Sequence, residues 1–428
     1  MSTLSRSSRL VKLGAISAIA ALTLAGCAAA EDSADDAGSD DTSSESSDDT
    51  GSEAAADLVL PLGTALPVTG SLAFLGPPEI AGVDLAIADI NAADKGIQVT
   101  VNHGDSGDLE NRAFDSEIPR LLNDGVSAII GAASSGVSLA FIDQVVGAET
   151  ILFSPANTSP AFTTYEDDGL YFRTAPSDTF QGEVLGNLLA ADGHQRVGMI
   201  VLNDAYGTGL AEISTATFEA AGGEVVAAPT FNPGDTNFTS QINEILAADP
   251  DAIVLITFDE AFTIVPELTA QFPGENLYFV DGNIANYESA FEPGTLEGAK
   301  GTGPAVSAEF FERLAEQWAL TGDGTDLVDY QYGPESYDAV VLLALASLAA
   351  GSTDALDIAA KLQEVSGGSG DGEKCTTFSE CADIINGGGV ADYDGQTGAI
   401  TFDELGERTD GRIAVSQYDE NNFPVVIN

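Results

Sequence analysis

The order of hydrophobic and polar positions predicts an alternation of strands and helices along most of the chain. From residue 58, short apolar runs typical of buried strands are separated by segments of about ten to fifteen residues with apolar positions at helical spacing. The run LVLPLGTALP predicts the first strand, and EIAGVDLAIADINAA predicts the first helix. Because helices of this length carry a chain from one parallel strand to the next, the pattern predicts βαβ units.

The alternation restarts after Tyr171, and this restart predicts a second sheet. The helix-like segment DTFQGEVLGNLLAADG leads into the strand-like RVGMIVLND, and the two types then alternate as far as NLYFVDG. Later helices and a short strand-rich tail complete the chain. The predicted fold class is therefore α/β, with two doubly wound parallel-sheet lobes divided near residue 176.

The first 26 residues have the pattern of a signal peptide. Arg6, Arg9 and Lys12 form a basic segment, and LGAISAIAALTLAGC continues with an apolar stretch too short to span a membrane. Its end, LAGC, resembles a bacterial lipobox, in which the cysteine is acylated and becomes the first residue after cleavage. This resemblance predicts a lipoprotein acylated at Cys27. The alternative is an ordinary secretory signal that contains a cysteine by chance.

Residues 27–57 predict an acidic, disordered tether. The segment contains no Leu, Ile, Val or aromatic residue and is rich in Asp, Glu and Ser. Its charges repel one another, and no apolar burial offsets the entropy of ordering it. We therefore expect a folded body in the cell envelope, on the outer face of the plasma membrane or in the periplasm. A lipid anchor would be its only contact with the membrane.

The charge balance limits the choice of partner. The chain has 68 Asp and Glu residues against 14 Lys and Arg residues, which gives a formal net charge of −54. Nucleic acid is excluded as a partner, since binding phosphates requires clustered Lys and Arg. Acidity spread along the whole chain is typical of a strongly hydrated surface in a salty medium. An acidic face that attracts cationic ligands is the alternative.

Two further cysteines predict a local disulfide. Cys375 and Cys381 lie close together in CTTFSEC, and the expected compartment is oxidising. Metal ligation is the competing interpretation. The histidines, His103 and His194, are far away in sequence, and two thiols alone do not make a zinc site. The sequence therefore predicts a structural disulfide and no metal site.

The loops at the carboxyl ends of the predicted strands are the expected place for a binding site. In chain order they read PVTGSLAFLG, GAASSG, SPANTSP, NDAYGTG, TFDEAF and VDGNIANY. They are rich in small, hydroxyl and aromatic residues, they contain no Lys or Arg, and only those of the second lobe carry acidic residues. Helix N-termini and free amides suit a carboxylate, and an acidic residue from the opposite lobe suits an ammonium group. The loops indicate a clamp for a zwitterion such as an amino acid.

Taken in order, several segments resemble type I periplasmic binding proteins, and in particular the Leu/Ile/Val-binding class of solute receptors for ABC importers. The resemblance rests on LPVTGSLAFLGPPEIAGVDLAIADINA, IIGAASSGVS, LFSPANTSPAF, YFRTAPSD, NDAYGTGLA, ESYDAVVLLALA and ADYDGQTGAITFDELGER. These motifs stand in the order and spacing of the family and cover nearly the whole chain from residue 58.

This resemblance implies a venus-flytrap fold in which three crossovers join the two lobes. Lobe 1 is then built from residues 58–176 and 302–412, lobe 2 from residues 177–301, and the tail 413–428 returns to lobe 2. The implied function is an extracytoplasmic receptor that captures an amino-acid-like ligand, a branched-chain amino acid among the options, and docks on an ABC permease. The resemblance implies no catalysis and no cofactor.

Two other functions stay open for this fold. The cleft could bind urea, a short amide or an aromatic acid. Alternatively, the protein could be a ligand sensor that takes no part in transport.

The resemblance also assigns ligand-binding residues by their position in the motifs. The loop GAASSG supplies a hydroxyl and an amide to the ligand carboxylate, which places Ser135 there with Ser134 beside it. The loop SPANTSP supplies the carbonyl of Ala156 and the hydroxyl and amide of Thr158.

Two residues of the second lobe complete the implied clamp. Tyr206 in NDAYG closes over the polar end of the ligand, and Asp281 in VDG pairs with its ammonium group. Without the resemblance, Tyr206 would be interpreted as a surface aromatic and Asp281 as a turn residue.

The regions expected to face the ligand side chain depart from the family pattern. Leu75 lies where leucine-type receptors often place an aromatic wall. Phe258 and Glu260 lie near another ligand-facing position, with the register left open. The side-chain preference of the pocket is therefore not predicted.

A hydrolase is the enzymatic alternative. AASSG approximates the nucleophile elbow of α/β-hydrolases, with Ser134 at its centre. However, Ala132 replaces the first glycine of that motif, and His194, the only histidine that follows, lies outside any triad context. Ser134 is also explained as a helix cap. We therefore expect a binding protein and not an enzyme.

Overall fold

The computed structural model describes residues 57–305, 308–322 and 324–428. The predicted signal peptide, the predicted acylation site at Cys27 and all of the predicted tether except Asp57 lie outside the described residues.

The first part of the chain forms a five-stranded sheet with the order β2-β1-β3-β4-β5. Its elements are β1 (Leu58–Ala65), α1 (Gly76–Ala93), β2 (Ile97–Asn102), α2 (Phe114–Asp124), β3 (Ala128–Gly131), α3 (Ser135–Val146), β4 (Ile151–Ser154) and β5 (Tyr171–Arg173). All neighbouring strands pair in parallel, and β3, β4 and β5 are buried throughout. Strands covered on both faces have nearly continuous apolar runs, which explains segments such as AIIG and ILFS.

The rest of the chain builds a second sheet, returns to the first, and ends in the second. The elements of the middle part are α4 (Asp178–Ala191), β6 (Arg196–Leu202), α5 (Ala205–Ala220), β7 (Glu224–Ala227), β8 (Thr230–Phe231), α6 (Thr239–Ala247), β9 (Ala252–Ile256), α7 (Ala261–Thr269), β10 (Leu277–Phe279) and β11 (Lys300–Pro304). The last elements are α8 (Ala308–Thr321), α9 (Gly333–Ala350), α10 (Ala355–Val365), β12 (Glu373–Cys375), α11 (Phe378–Asn386), β13 (Ala391–Gly395), β14 (Gly398–Ala399), β15 (Ile413–Tyr418) and β16 (Pro424–Val426). Short 3-10 helices lie at Pro160–Phe162 and Gly274–Asn276.

The second sheet has eight strands in the order β16-β15-β11-β10-β9-β6-β7, with β8 also beside β6. Its central strands are parallel, whereas β15 and β16 add an antiparallel edge. The predicted α/β fold with two parallel-sheet cores is confirmed. The chain passes between the sheets after β5, after β11 and before β15, so β11 carries the second sheet past the lobe boundary predicted at residue 301.

The segment EVVAAPTF, which the pattern predicts as one strand, is divided into β7 and β8. Pro229 stands at the division and has no N–H to donate to a neighbouring strand. Its carbonyl accepts a hydrogen bond from the N–H of Val201 in β6, so the chain stays beside β6 through the break.

Helices α1 and α9 cross in close backbone contact against the first sheet. A Cβ atom on Gly82 would lie 2.1 Å from the carbonyl oxygen of Gly333, so this crossing requires glycine. Helix α9 is buried from Gly333 to Ser347, and α1, α9 and the first sheet contribute to one apolar cluster. This packing explains the almost uninterrupted apolar sequence of α9 and returns the chain to the first sheet.

A small third sheet, β12-β13-β14, lies near the predicted disulfide. Cys375 ends β12 and Cys381 lies in α11, and the two sulfur atoms are bonded. The predicted disulfide is confirmed, and it joins a strand of this small sheet to the helix that follows it.

In the described ranges, no single helix is long and apolar enough to cross a bilayer. Helices α9 and α10 meet the length and composition criteria only as a pair, and that pair is bent by 106°.

Candidate functional site

The loop that follows β4 is tied to the loop that follows β3. The hydroxyl of Ser154 donates to the carbonyl of Ala132 (2.7 Å) and accepts from the N–H of Asn157 (2.9 Å). The Asn157 side-chain amide donates to the carbonyls of Ala132 and Ala133, both at 2.9 Å. These buried bonds fix the backbone on either side of Ala156, so the loop is organised before any ligand arrives.

Arg173 at the end of β5 holds the same loop from the other side. Its guanidinium donates to the carbonyls of Asn157 (3.2 Å) and Ser159 (2.8 Å) and forms an ion pair with Glu407 (2.7 Å). The side chain has no exposed surface, and a buried charge is stable only when it is paired in this way. Arg173 is therefore a structural residue that shapes the SPANTSP loop.

The N-terminus of α3 forms the neighbouring wall of the cleft. Ser134 is the N-cap, and its hydroxyl accepts from the N–H of Val137 (3.4 Å). The hydroxyl of Ser135 accepts from the N–H of Ser159 (3.3 Å), which links the two loops. The free N–H groups and dipole of a helix N-terminus attract anions, so this wall suits a carboxylate.

Asp281 lies at the carboxyl end of β10, in the opposite wall. One of its oxygens accepts from Tyr206 Oη (2.7 Å) and Gln181 Nε2 (2.9 Å), and the other accepts from Tyr332 Oη (2.6 Å). Burial raises the pKa of Asp281, while the hydrogen bonds from Tyr332, Tyr206 and Gln181 act in the opposite direction. Since each carboxylate oxygen can accept two bonds, the oxygen that faces Tyr332 can still accept one from a ligand.

Tyr332 reaches Asp281 from an uncommon backbone conformation. It precedes α9 with φ 59° and ψ 0°, the left-handed region, which costs a non-glycine residue about 1–2 kcal/mol. The side chain is buried, and its hydroxyl points at the acidic residue of the site. Strain of this kind persists where the surrounding structure compensates for it, and binding sites are the usual place.

The two walls meet around a narrow cavity of about 10 Å³. Its lining comprises Leu72, Leu75, Ala133, Ser134, Ser135, Ala156, Thr158, Tyr206, Phe258, Asp281, Gly282 and Tyr332. Every residue assigned to the ligand from the sequence is in this lining except Glu260. The space is about that of one water molecule, so the walls must separate before a larger ligand can enter.

A larger cavity of about 260 Å³ adjoins the narrow one and shares Ser134 and Phe258 with it. Glu260 lies here, and its carboxylate accepts from the N–H of Phe258 (2.7 Å). Burial raises the pKa of Glu260 to about 7 and that of Asp204 to about 6. The described residues that line this cavity include six acidic side chains and no Lys or Arg.

Asp178 is a further acidic residue beside the narrow cavity. Its N–H donates to the carbonyl of Thr158 (2.7 Å), and its carboxyl group is fully buried beside the hydroxyl of Thr158. Burial raises the pKa of Asp178 well above its usual range, and the nearby Asp281 raises it further. A ligand that brings a positive charge would satisfy this buried group.

Sequence reasoning missed four residues of the cavity lining, namely Leu72, Ala133, Gly282 and Tyr332, and two residues next to it, Asp178 and Gln181. Asp178 lies inside the motif YFRTAPSD, but nothing in that motif marks it as a binding residue. Tyr332 stands outside every quoted motif, and only the chain's return to the first sheet brings its hydroxyl to Asp281.

The geometry gives the hydrolase alternative no support. In the part of the chain that the structure describes, His103 hydrogen-bonds to Thr64 and Asp84, and His194 hydrogen-bonds to Tyr278. Neither ring bonds to Ser134, which acts as the cap of α3. A serine nucleophile needs a base within hydrogen-bond reach.

Two α/β sheets, three chain crossings and a cleft lined from both sides define a two-lobed solute-binding protein. The chain belongs to the periplasmic binding protein family, whose model matches residues 59–377. Membership implies an extracytoplasmic location, and the proteins that this chain resembles are solute-binding proteins.

Curated relatives cover most of the chain. A chemotactic signal transduction system substrate-binding protein from Halobacterium salinarum is 27% identical over 79% of this chain and 82% of its own length. A Leu/Ile/Val-binding protein homolog from Brucella abortus is 28% identical over 72% of this chain and 83% of its own length.

Solved structures have the same fold. A leucine-binding protein from Thermotoga maritima is 22% identical and has a TM-score of 0.66, covering 86% of this chain and 99% of its own. A branched-chain amino acid transporter substrate-binding protein from Streptococcus pneumoniae, in complex with isoleucine, is 23% identical with a TM-score of 0.65 and covers 86% and 100%. A solute-binding protein from R. palustris, in complex with benzoate, is 18% identical with a TM-score of 0.68 and covers 86% and 96%.

Proposed function

We propose that the protein is a lipid-anchored receptor that captures an α-amino acid in the cleft between its two sheets and delivers it to an ABC permease. The observation that carries this proposal is the pairing of opposite chemistries across one narrow cavity. A helix N-terminus with two serines forms one wall, and a buried carboxylate forms the other. Together they match the two charged ends of a zwitterion.

In the proposed pose, the ligand carboxylate lies against Ser135 and the amide of Thr158. The ammonium group lies between the carbonyl of Ala156, the hydroxyl of Thr158 and Asp281. Asp178 lies on the same side as a second buried carboxyl group, and the positive charge of the ligand would stabilise its ionised form. The ligand side chain points toward Leu72 and Leu75, which together with Phe258 form the apolar part of the lining.

The apolar lining favours an aliphatic or aromatic amino acid. Leu75 is 2% exposed, Leu72 is 5% exposed, and the ring of Phe258 stacks on Tyr206 at 5.3 Å between ring centres. Similar proteins named for leucine, isoleucine and valine support the aliphatic choice. The benzoate complex of a protein with the same fold makes aromatic acids the alternative, because such a ligand needs no ammonium site.

Replacing Thr158 by alanine should weaken binding of the amino acid at least tenfold. The change removes a hydroxyl from the ammonium site, and hydrogen bonds to charged groups contribute about 1.5–3 kcal/mol. Thr158→Ser keeps the hydroxyl and should bind within about threefold of the wild type. Isothermal titration calorimetry measures both. Equal affinities for Thr158→Ala and wild type would contradict the proposed pose.

The ligand class is tested by a thermal-shift screen. The exported protein is melted with each L-amino acid, with urea and acetamide, and with benzoate and related aromatic acids. A rise in melting temperature confined to amino acids supports the proposal, since a ligand that binds the native state raises its apparent stability. A rise with benzoate or urea alone would contradict it.

The N-terminal pattern supports the proposed anchor. Cys27→Ser removes the thiol that would be acylated, so the exported protein should move from the membrane fraction to the soluble fraction. Retention of the variant in the membrane fraction after a salt wash would contradict lipid anchoring at this residue.

A sensor without transport is the second candidate function. It is favoured by the similarity to a chemotactic substrate-binding protein that spans most of both chains. Deleting the gene should abolish uptake of the radiolabelled amino acid if the transport proposal holds. Unchanged uptake together with lost chemotaxis would favour the sensor.

A further inference from the structure

Outside the narrow cavity, the two sides of the cleft touch along a second line of contact, which we call the seam. The seam comprises Gly136 at the start of α3 and Ser159 and Pro160 after β4 on the first side, and Asp204, Ala205 and Gly209 at the start of α5 on the second. None of these six residues lines the narrow cavity. Their contacts therefore act on the arrangement of the two sides and not on the ligand.

One hydrogen bond crosses the seam directly. The hydroxyl of Ser159 donates to the carbonyl of Ala205 at 2.7 Å. Ser159 is itself fixed by Arg173 and Ser135, and its side chain is 1% exposed. The donor is therefore held in place on the first side, and it meets its acceptor only when the second side is closed against it.

Two glycines permit the close approach. A Cβ atom on Gly209 would lie 2.9 Å from Pro160 Cδ and 3.6 Å from Ser159 Oγ, and both of these neighbours belong to the opposite side. A Cβ atom on Gly136 would lie 3.1 Å from Asp204 Oδ2. Contacts under about 3.0 Å force one of the two groups to move, so a side chain at position 209 would hold the seam apart.

We propose that Gly209 and Pro160 set the balance between the open and closed cleft, so that position 209 is a positioning residue for ligand capture. The inference rests on the proposed solute-binding function. It adds that contacts outside the pocket influence how tightly the ligand binds. Because a ligand contacts both walls only when the two sides come together around it, a smaller closed population lowers the apparent affinity by the same factor for every ligand.

The variant Gly209→Ala can separate an effect on cleft closure from an effect on folding stability. Gly209 lies inside α5, where alanine is a better helix former than glycine. The close neighbours of an added Cβ come from the opposite side alone, so Gly209→Ala is unhindered in the open form. The variant should therefore unfold in urea at a concentration no lower than the wild type, while it binds more weakly.

The test measures the closed population with and without a ligand. Spin labels at Asn123→Cys and Glu219→Cys, both exposed positions, report the distance between α2 and α5 in a Cys27→Ser chain. In the absence of added amino acid the parent chain should show a short-distance population that Gly209→Ala loses. The affinity of Gly209→Ala for L-leucine should fall about threefold to tenfold. The control Glu212→Ala, in the same helix, should change neither the short-distance population nor the affinity.

A second variant tests the contact itself. Pro160→Ala removes the Cγ and Cδ atoms that a side chain at position 209 would meet, so adding it to Gly209→Ala should restore the short-distance population. Unchanged distances in Gly209→Ala, or no recovery in the double variant, would overturn the proposal. If L-leucine binds neither parent nor variant, leucine is the wrong ligand, and the distances still decide the role of the seam.

Discussion

Replacing Asp281 by asparagine should weaken binding of the amino acid by about a hundredfold. The carboxylate is buried and is the only charged group among the twelve residues that line the narrow cavity. Removing one partner of a buried charge pair costs about 2–5 kcal/mol, and a hundredfold loss corresponds to about 2.7 kcal/mol. The asparagine variant also turns a nitrogen toward hydroxyls that now donate to the carboxylate, which adds to the loss.

Calorimetry with the amino acid that gives the largest thermal shift measures this effect. Asp338→Asn is the matched control, because Asp338 is another buried carboxylate that accepts hydrogen bonds, from Tyr393 and Thr397 among others. It lies outside the cleft lining, so the control should lower stability and leave the affinity unchanged. An Asp281→Asn protein that is folded and binds like the wild type would contradict the zwitterion clamp.

Glu335→Gln should make the protein more stable than the wild type at pH 8.5, by about 3–5 kcal/mol, and change its stability little at pH 5. Glu335 is 1% exposed, and one of its oxygens has no hydrogen-bond donor. Burial raises its pKa to about 8. The folded state therefore holds a proton that the unfolded chain releases near its ordinary value of 4.5.

The direction in which stability changes with pH depends on whether the folded or the unfolded state binds more protons. Between about pH 4.5 and 8 the folded protein binds more, so its stability falls across this range and levels off above the pKa of Glu335. Glutamine keeps the shape of the protonated acid and cannot ionise, so its stability should lack this fall. Urea unfolding at pH 5 and 8.5 measures the difference, with the exposed Glu309→Gln as control. Parallel pH profiles for Glu335→Gln and wild type would contradict this prediction.

Much of the site could be predicted because its residues come from loops that directly follow strands. Ser135, Thr158 and Asp281 each stand just after an apolar run, and the carboxyl ends of parallel strands gather at one edge of a sheet. Local pattern and family resemblance were therefore sufficient to place them in one cleft.

The residues that were missed depend on long-range packing. Tyr332 reaches the cleft because α9 returns to the first sheet and because its own backbone adopts φ 59°. Asp178 is the first residue of α4, and an Asp at the start of a helix is usually explained by the helix dipole. Only the packed structure shows its carboxyl group buried beside Thr158.

Strand β11 could not be predicted either, because it too depends on long-range packing. The segment KGTGP, which forms β11, has no apolar run. Glycine is present at position 301 because the side chains of Ile284 and Phe279 approach the strand closely there. Its strand character comes from its neighbours in the sheet and not from its own sequence.

The antiparallel edge strand β15 has a consequence for how the chain is made. β15 pairs with β11 over five residues, from Lys300 with Gln417 to Pro304 with Ile413. Synthesis proceeds from the N-terminus, so the more than one hundred residues between β11 and β15 must be added before β11 meets its partner. Until then β11 is an open sheet edge, which is a template for pairing with other chains. The most vulnerable moment for aggregation is therefore the last stage of synthesis and export.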